Sequence, residues 1–527
     1  GGHDPEKVYA AYDRAVREQG RPSVILAMTV KGYGLGEAGE GKNITHKQKQ
    51  LNEAELKEFR SRFAIPISDD EINDVPFHRP SEVSPEIRYL KERREELGGY
   101  LPARSEKAPL LEKIPDAPFE RLLSTMQNRD AATTLAMVRL LSFLLKDETL
   151  GKQVVPIVPD EARTFGMETL FRSVGIYSHV GQKYEPVDAD TLLSYNEQTT
   201  GQILEEGITE AGAMSSFIAA GTAYSSLGLQ MIPFFFFYSM FGFQRIGDLI
   251  WAAGDMRTKG FLIGATSGRT TLAGEGLQHQ DGHSHLLAFP NPRIIAYDPA
   301  YAYELAVIVR DGMRRMFVED EALIYYITVG NESYEMPPMP DNVEDQILRG
   351  MYCLSPSQDQ RLQRRIQLLG SGAILNEVRK AAKLLEEEYE VAADVYSVTS
   401  YKQLHTEALD AERWNRFNPG KKPRIPYISQ SIRSNADAVV AASDYVKMLP
   451  YSVAQWVDVP FIGLGTDGFG RSETREALRD FFEVDHRHIV LAALSALRQA
   501  GKVDEGVLLS AMETLEINPN KPNPTRS

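Results

Sequence analysis

Met231-Ile-Pro-Phe-Phe-Phe-Phe-Tyr-Ser-Met-Phe241 contains the longest apolar run of the chain, Met231 to Phe237, and its reading decides the fold. The run is far too short to span a bilayer, which takes about 20 apolar residues in a helix. It suits a strand buried on both faces, as in the interior of a parallel sheet. Further strand candidates flank it at Val154–Val158, Phe261–Thr266 and Arg293–Tyr297, with helical segments between them. One such segment, Asp130 to Leu150, is strongly apolar from Leu135 to Leu145. Strands alternating with helices predict an α/β fold, a mainly parallel sheet covered on both faces.

Working outward, Gly1-Gly2-His3-Asp4-Pro5 reads as a turn into a helix, with Asp4 capping the first amides and Pro5 at the first turn. Val8, Tyr12 and Val16 keep helical spacing until Gly20. Ser23 to Val30 reads as a buried strand that empties into Lys31-Gly-Tyr-Gly-Leu-Gly-Glu-Ala-Gly-Glu-Gly-Lys-Asn43. A glycine loop at a strand's C-terminal end is the layout of an α/β ligand-binding edge. Eight prolines and many charges between Ile65 and Glu120 predict an extended connection. Met336-Pro-Pro-Met-Pro340 marks another boundary, beyond which Ile366–Gly372, a helix to about Tyr389 and the strand Ala393–Val398 begin a further α/β unit. The expected division is 1–110, 111–338 and 339–527.

With 43% apolar and 25% charged residues the composition is that of a globular protein. A formal net charge of −15 and the lack of any Lys/Arg run give no footprint for nucleic acid. The single cysteine, Cys353, excludes an internal disulfide framework and any multi-cysteine metal site, and points to a reducing compartment, the cytoplasm. No stretch predicts a membrane span or a secretory signal, and a chain beginning Gly1-Gly2 is expected to be part of a longer product.

Four segments look chemically loaded: Gly201-Gln-Ile-Leu-Glu-Glu-Gly-Ile-Thr-Glu210, Phe234 to Phe241, Gly276-Leu-Gln-His-Gln-Asp-Gly-His-Ser-His285, and Lys31 to His46. Each has a plain reading. Glutamates in helices usually face water, and an aromatic strand is usually core. His279, His283 and His285 with Asp281 are chemically able to chelate a metal. In a loop such a string more often makes hydrogen bonds, and no metal is expected there.

Together the segments resemble a known family. Gly207-Ile-Thr-Glu210, followed roughly thirty residues on by an aromatic strand ending Tyr238-Ser-Met-Phe-Gly-Phe-Gln-Arg245, is similar to the pyrimidine-binding domain of thiamine-diphosphate enzymes. Pro-Asp-Glu-Ala-Arg-Thr-Phe-Gly (159–166), Thr-Ser-Gly-Arg-Thr-Thr-Leu (266–272), Gly-Glu-Gly-Leu-Gln-His (274–279) and Leu-Gly-Thr-Asp-Gly-Phe-Gly-Arg-Ser (464–472) resemble, within that group, the homodimeric bacterial pyruvate dehydrogenases. The resemblance runs over nearly the whole chain. It implies a transketolase-like fold of three consecutive α/β domains with mainly parallel sheets, the first truncated.

The resemblance also implies roles. Glu210 would hydrogen-bond N1′ of the cofactor's aminopyrimidine, buried and with a raised pKa. Phe241 would stack on that ring, Ile208 would pack under the cofactor's bend, and Arg245 and Lys31 fall among cofactor-binding positions. Tyr238 and His279 would face the substrate's reacting end, with Asp160 and Glu161 near the same place and Asp160 the preferred of the two. His46 would assist transfer to a lipoyl group from a mobile loop hinged at Gly34, Gly36, Gly39 and Gly41, with Glu40 its acidic member. A second mobile loop is expected from Val180 to Asn196.

The implied reaction is oxidative decarboxylation of pyruvate with reductive acetylation of a lipoyl group on a dihydrolipoyl acetyltransferase. The implied cofactors are thiamine diphosphate and Mg2+. The Gly-Asp-Gly and asparagine motif that holds magnesium in such enzymes is missing, so its ligands are expected in an absent N-terminal part. Gly465-Thr-Asp467-Gly is a decoy in the wrong domain, and Gly370-Ser-Gly372 reads as a strand-to-helix turn. Two alternatives stand: a transketolase-type enzyme, and a non-catalytic core fragment that dimerises and docks to a complex.

Overall fold

The computed structural model describes the chain except residues 48, 101–107, 192 and 360. Its contacts divide the chain into two units, Gly1–Pro102 and Ala103–Ser527.

In the first unit Asp4 and Pro5 start helix α1, Pro5–Arg17, with Asp4 accepting from the Lys7 amide. A capping box between Asn52 and Glu55 starts α2, Glu53–Arg62. Ser84 caps α3, Pro85–Glu96, so the proline-rich stretch expected to be an extended connection contains a helix. Its first proline sits at N1, where the missing N–H costs nothing. The strand expected over Ser23–Val30 is also absent. This segment makes no ladder among the described residues, and Val24, Leu26 and Met28 are 83%, 92% and 84% exposed. An apolar run becomes a strand only beside a partner, and none stands there. The first unit therefore has no strand among its described residues.

The second unit opens with α4 (Ala117–Met126) and α5 (Thr133–Leu145). Its first sheet comprises β1 (Val154–Val158), β2 (Leu204–Glu205), β3 (Ile232–Tyr238), β4 (Gly260–Ala265), β5 (Ile294–Tyr297) and β6 (Ile324–Val329). They lie in the order β2-β1-β3-β4-β6-β5. Every pairing is parallel. Phe234, Phe235, Phe236 and Phe237 of β3 are all fully buried. Alternate rings serve opposite faces: Phe234 stacks on Phe261 at 4.5 Å, and Phe235 packs against Phe217 at 6.4 Å. This doubly buried strand is why its apolar run is continuous.

The helices α6 (Glu210–Gly221), α7 (Phe243–Asp255), α8 (Ser284–Ala288) and α9 (Ala302–Met313) connect and cover these strands. A second sheet comprises β7 (Met351–Ser355), β8 (Arg364–Gly370), β9 (Val391–Val398), β10 (Ala438–Ala442) and β11 (Phe461–Leu464). Their order is β7-β9-β8-β10-β11. Only the β7–β9 pair is antiparallel. The helices α10 (Leu375–Glu388), α11 (Tyr401–Phe417) and α12 (His486–Gln499) complete this part. Buried polar contacts join the two sheets' neighbourhoods. Asp444 accepts from the amides and hydroxyls of Thr270 and Thr271 at 2.6–2.9 Å. The tempting Gly465–Gly468 segment also serves structure: its Thr466 and Gly468 carbonyls accept from Arg269.

Candidate active site at the C-terminal edge of the first sheet

Parallel strands carry their functional side chains where the strands end. β3 ends at Tyr238, and a single turn of 3-10 helix, Ser239–Phe241, follows. That turn brings Phe241 beside Tyr238, with ring centroids 6.1 Å apart and planes at 88°. His279, on another short turn, Leu277–His279, stands against both rings. Its centroid lies 4.8 Å from Tyr238 and 5.2 Å from Phe241. Its Nδ1 is 3.1 Å from the Glu275 carbonyl, which can only accept, so Nδ1 carries the proton. Nε2 is then the nitrogen that can take a proton or, once charged, give one. Phe165 backs Tyr238 edge-on at 5.4 Å, and burial pushes the Tyr238 hydroxyl up.

Glu210 opens α6, capped by Thr209, whose hydroxyl accepts from the Gly212 amide at 3.1 Å. Its carboxylate is only 5% exposed and sits at the positive end of the helix. Arg245 donates to both its oxygens, at 3.1 and 3.0 Å. The same guanidinium lies 4.1 Å over the Phe241 ring. Ile208, two residues earlier, is 77% exposed.

Asp160 and Glu161 follow β1. Asp160 is exposed and Glu161 half-buried. The Asp160 amide donates to the Glu161 carboxylate at 3.1 Å, yet burial, with repulsion from the Asp160 charge, pushes Glu161 up to about 7. The parallel register sets Glu205 beside Val158. Burial, joined by the Asp160 and Glu161 charges, pushes Glu205 up to about 7 as well. Glu161 and Glu205 are thus poised to hold a proton near neutrality. Nothing in the sequence of Glu205 marked it out; its role depends on a neighbour in the sheet.

Among the described residues His279, His283 and His285 do not form a cluster of close metal-type ligands. Asp281, completely buried, accepts from the Ser239 hydroxyl (2.5 Å), Gln244 (3.1 Å), the amides of His283 and Ser284 (both 3.0 Å) and the Ser284 hydroxyl. Burial alone would raise its carboxyl, but these hydrogen bonds hold it below the ordinary range. His285 turns inward to Thr328 at 2.9 Å, and burial pushes it down to about 4. Among the described residues the one trio of close metal-type ligands is Asp480, Asp485 and His488. Arg487 already pairs with both of those carboxylates.

Lys31, Glu40 and His46 belong to the first unit. The glycine segment folds into turns in which Gly34 and Gly36 take φ of +94° and +52°. Glu40 accepts from Arg62 at 2.5 Å and from the Gly34 amide at 3.2 Å. Those two donors hold it below the ordinary carboxylate range. Lys31 and His46 are exposed, His46 ending a 3-10 turn, Asn43–His46. Within the stretch expected to be mobile, Asp188 pairs with Arg163 and accepts from the Tyr195 amide.

The pyruvate dehydrogenase E1 component middle domain matches residues 111–337, and the transketolase-like C-terminal domain matches 350–485. The chain is 53% identical over 525 residues to the pyruvate dehydrogenase E1 component of Pseudomonas aeruginosa, covering 99% of this chain and 59% of that protein. It is 49% identical over 526 residues to that of Escherichia coli K12, with the same coverage. Over nearly its whole length the chain is thus similar to pyruvate dehydrogenase E1 components. It spans about 59% of the length of these curated relatives.

Among solved structures, a transketolase from Campylobacter jejuni aligns with a TM-score of 0.62 at 17% identity, over 94% of this chain and 66% of that one. One from Leishmania mexicana aligns with the same score at 15% identity, over 95% of this chain and 66% of that one. That likeness shows the fold, transketolase-like and α/β, and no more. Among the described residues no helix is long and apolar enough to cross a membrane.

Proposed function

We propose that this chain supplies the pyrimidine-binding side of a thiamine-diphosphate-dependent pyruvate dehydrogenase. The observation that carries the reading is the grouping of a buried carboxylate, Glu210, with a half-buried aromatic face, Phe241, beside Tyr238 and His279. A flat aminopyrimidine fits those residues: a ring face for Phe241 and a nitrogen for the carboxylate. When bound, the cofactor supplies the carbon nucleophile and the electron sink for decarboxylation.

The chain's own residues then do the rest. Glu210 would hydrogen-bond N1′ of the ring. Tyr238 donates a hydrogen bond to the substrate's carboxylate or oxygen, and His279 does so from Nε2 once protonated. Glu161, with Asp160 and Glu205 beside it, keeps a proton available at neutral pH. His46 gives a proton to the sulfur leaving the lipoyl disulfide, with Lys31 and Glu40 on the same glycine segment. Ile208, exposed at the loop before α6, is free to lie against the cofactor.

Among the described residues the one cluster of close metal-type ligands, Asp480, Asp485 and His488, is already paired with Arg487, so a magnesium ion accompanying the cofactor would take its ligands elsewhere. The working unit is a homodimer in the cytoplasm, acting on pyruvate and a lipoyl-bearing dihydrolipoyl acetyltransferase. The relatives' names support the dehydrogenase over a transketolase, since the solved transketolases share the fold at only 17% and 15% identity. The test is equilibrium binding of thiamine diphosphate with magnesium to the full-length protein. Saturable binding, weakened at least about tenfold in F241A, is expected from losing one stacked face. Equal affinity in F241A overturns the site.

A further inference from the structure

His279 stands on a stretch with little packing of its own. No residue from Ala273 to His279 is buried, and Leu277, on the same 3-10 turn, is 52% exposed. The next residue, Gln280, is 1% exposed. Its Nε2 donates to the Leu272 carbonyl at 2.9 Å, and its Oε1 accepts from the Arg471 amide at 2.7 Å. A carbonyl only accepts and a backbone amide only donates, so both bonds demand the same orientation of the side-chain amide. Leu272 is buried at the root of the exposed stretch, and Arg471 lies on the loop after β11, within the part matched by the transketolase-like C-terminal domain. One side chain thus closes the base of the stretch and ties it to that loop. The fit there is tight. A Cβ on Gly470 would stand 2.7 Å from Gln280 Oε1 and 2.7 Å from the Leu277 carbonyl oxygen. A Cβ on Gly282 would run into the Arg269 guanidinium, which donates to the Thr466 and Gly468 carbonyls of the same loop.

We propose that Gln280 is a positioning residue for His279, and that the loop after β11 holds it in place. The proposal rests on the reading of His279 above as a group that meets the substrate. Burial fixes a side chain by packing, and the turn that carries His279 has none of its own; its place beside Tyr238 and Phe241 is set by the anchored residue that follows it. The C-terminal part of the chain, which contributes no group to the grouping around Glu210, then acts on the chemistry through Gln280. Removing the amide orphans a buried carbonyl and a backbone N–H and frees the turn.

The experiment is a double-mutant cycle on the full-length protein, with thiamine diphosphate and magnesium saturating and kcat for pyruvate read with an artificial electron acceptor. The variants are Q280M, which keeps the shape without the two hydrogen bonds, H279A, and the pair together. Q280M should lose ~10²-fold in kcat, the usual loss for a group misplaced by about 1 Å. In the H279A background the same change should lose less than about twofold more, because the group it places is already gone. If Q280M does not fold, G470A, which presses a methyl on the turn from the far side and needs no unusual backbone, is read the same way. An equal factor with and without His279 overturns the positioning role and makes Gln280 a purely structural residue. A loss in H279A with none in Q280M overturns the proposal alone, whereas H279A within about twofold of wild type overturns the reading of His279 and the proposal with it.

Discussion

Asp281 ties the two segments that form the candidate site, and replacing it with Asn should damage both stability and activity. Tyr238 and Phe241 lie on the stretch that carries Ser239 and Gln244, while His279 lies on the stretch that carries Asp281, His283 and Ser284. Five donors from both stretches meet on the Asp281 carboxylate, inside the fold and out of contact with water. An asparagine keeps one acceptor oxygen and turns an NH2 toward the others. At least two donors are then orphaned, each costing about 1–3 kcal/mol, so D281N should lose about 2–6 kcal/mol. Urea unfolding of the full-length protein reads this as a lower midpoint at unchanged slope. The loosened link should also let Tyr238 and His279 drift, and a 1 Å misplacement is enough for a ~10²-fold loss in kcat. A variant within about 0.5 kcal/mol of wild type and within twofold in kcat would refute the reasoning, since the network would then hold nothing in place.

Three further outcomes follow from particular residues. Lys402 is buried, donates to the carbonyls of Ala288 and Asn291 at 2.7 Å, and burial pushes it down to about 7. The unfolded chain then holds the extra proton between pH 7 and about 10.5, so the lysine's contribution to stability rises with pH across that window; K402M should flatten this rise in pH-dependent denaturation. F234A removes a fully buried ring stacked on Phe261 and should cost about 3–5 kcal/mol by chemical denaturation, with m unchanged. H46A should separate two half-reactions, with a large loss in assays using a lipoyl domain and a much smaller one with an artificial electron acceptor; equal losses would remove the proton-donor role.

The sequence made the first sheet legible because β3 is buried on both faces, and a strand so placed needs an unbroken apolar run. Asp4-Pro5 announced α1 through a cap and a proline at N1, and Ser84-Pro85 carries the same signature for α3. Surrounding prolines hid the second case, because a proline breaks a helix only in its interior. Ser23–Val30 misled for a different reason: an apolar run states what a segment needs, not what stands beside it. At the site, Tyr238, Phe241 and Glu210 were readable as a motif along the chain. Glu205 and Asp281 were not, since Glu205 acts through a parallel neighbour and Asp281 reaches Ser239 across 42 residues. The histidine string holds chelating residue types, but spacing says nothing of direction, and His279 and His285 serve different neighbours.

The central claim is that Glu210 is the carboxylate that sets the cofactor to work, and carbon dioxide release from pyruvate by the full-length protein measures it most directly. With thiamine diphosphate and magnesium saturating, E210Q should release carbon dioxide at least ~10²-fold more slowly than wild type, the usual loss for a group that moves a proton. Its fold and dimer should be unchanged. A rate within about tenfold of wild type would contradict the account, because a buried carboxylate that can be neutralised at so little loss is not the group that activates the cofactor.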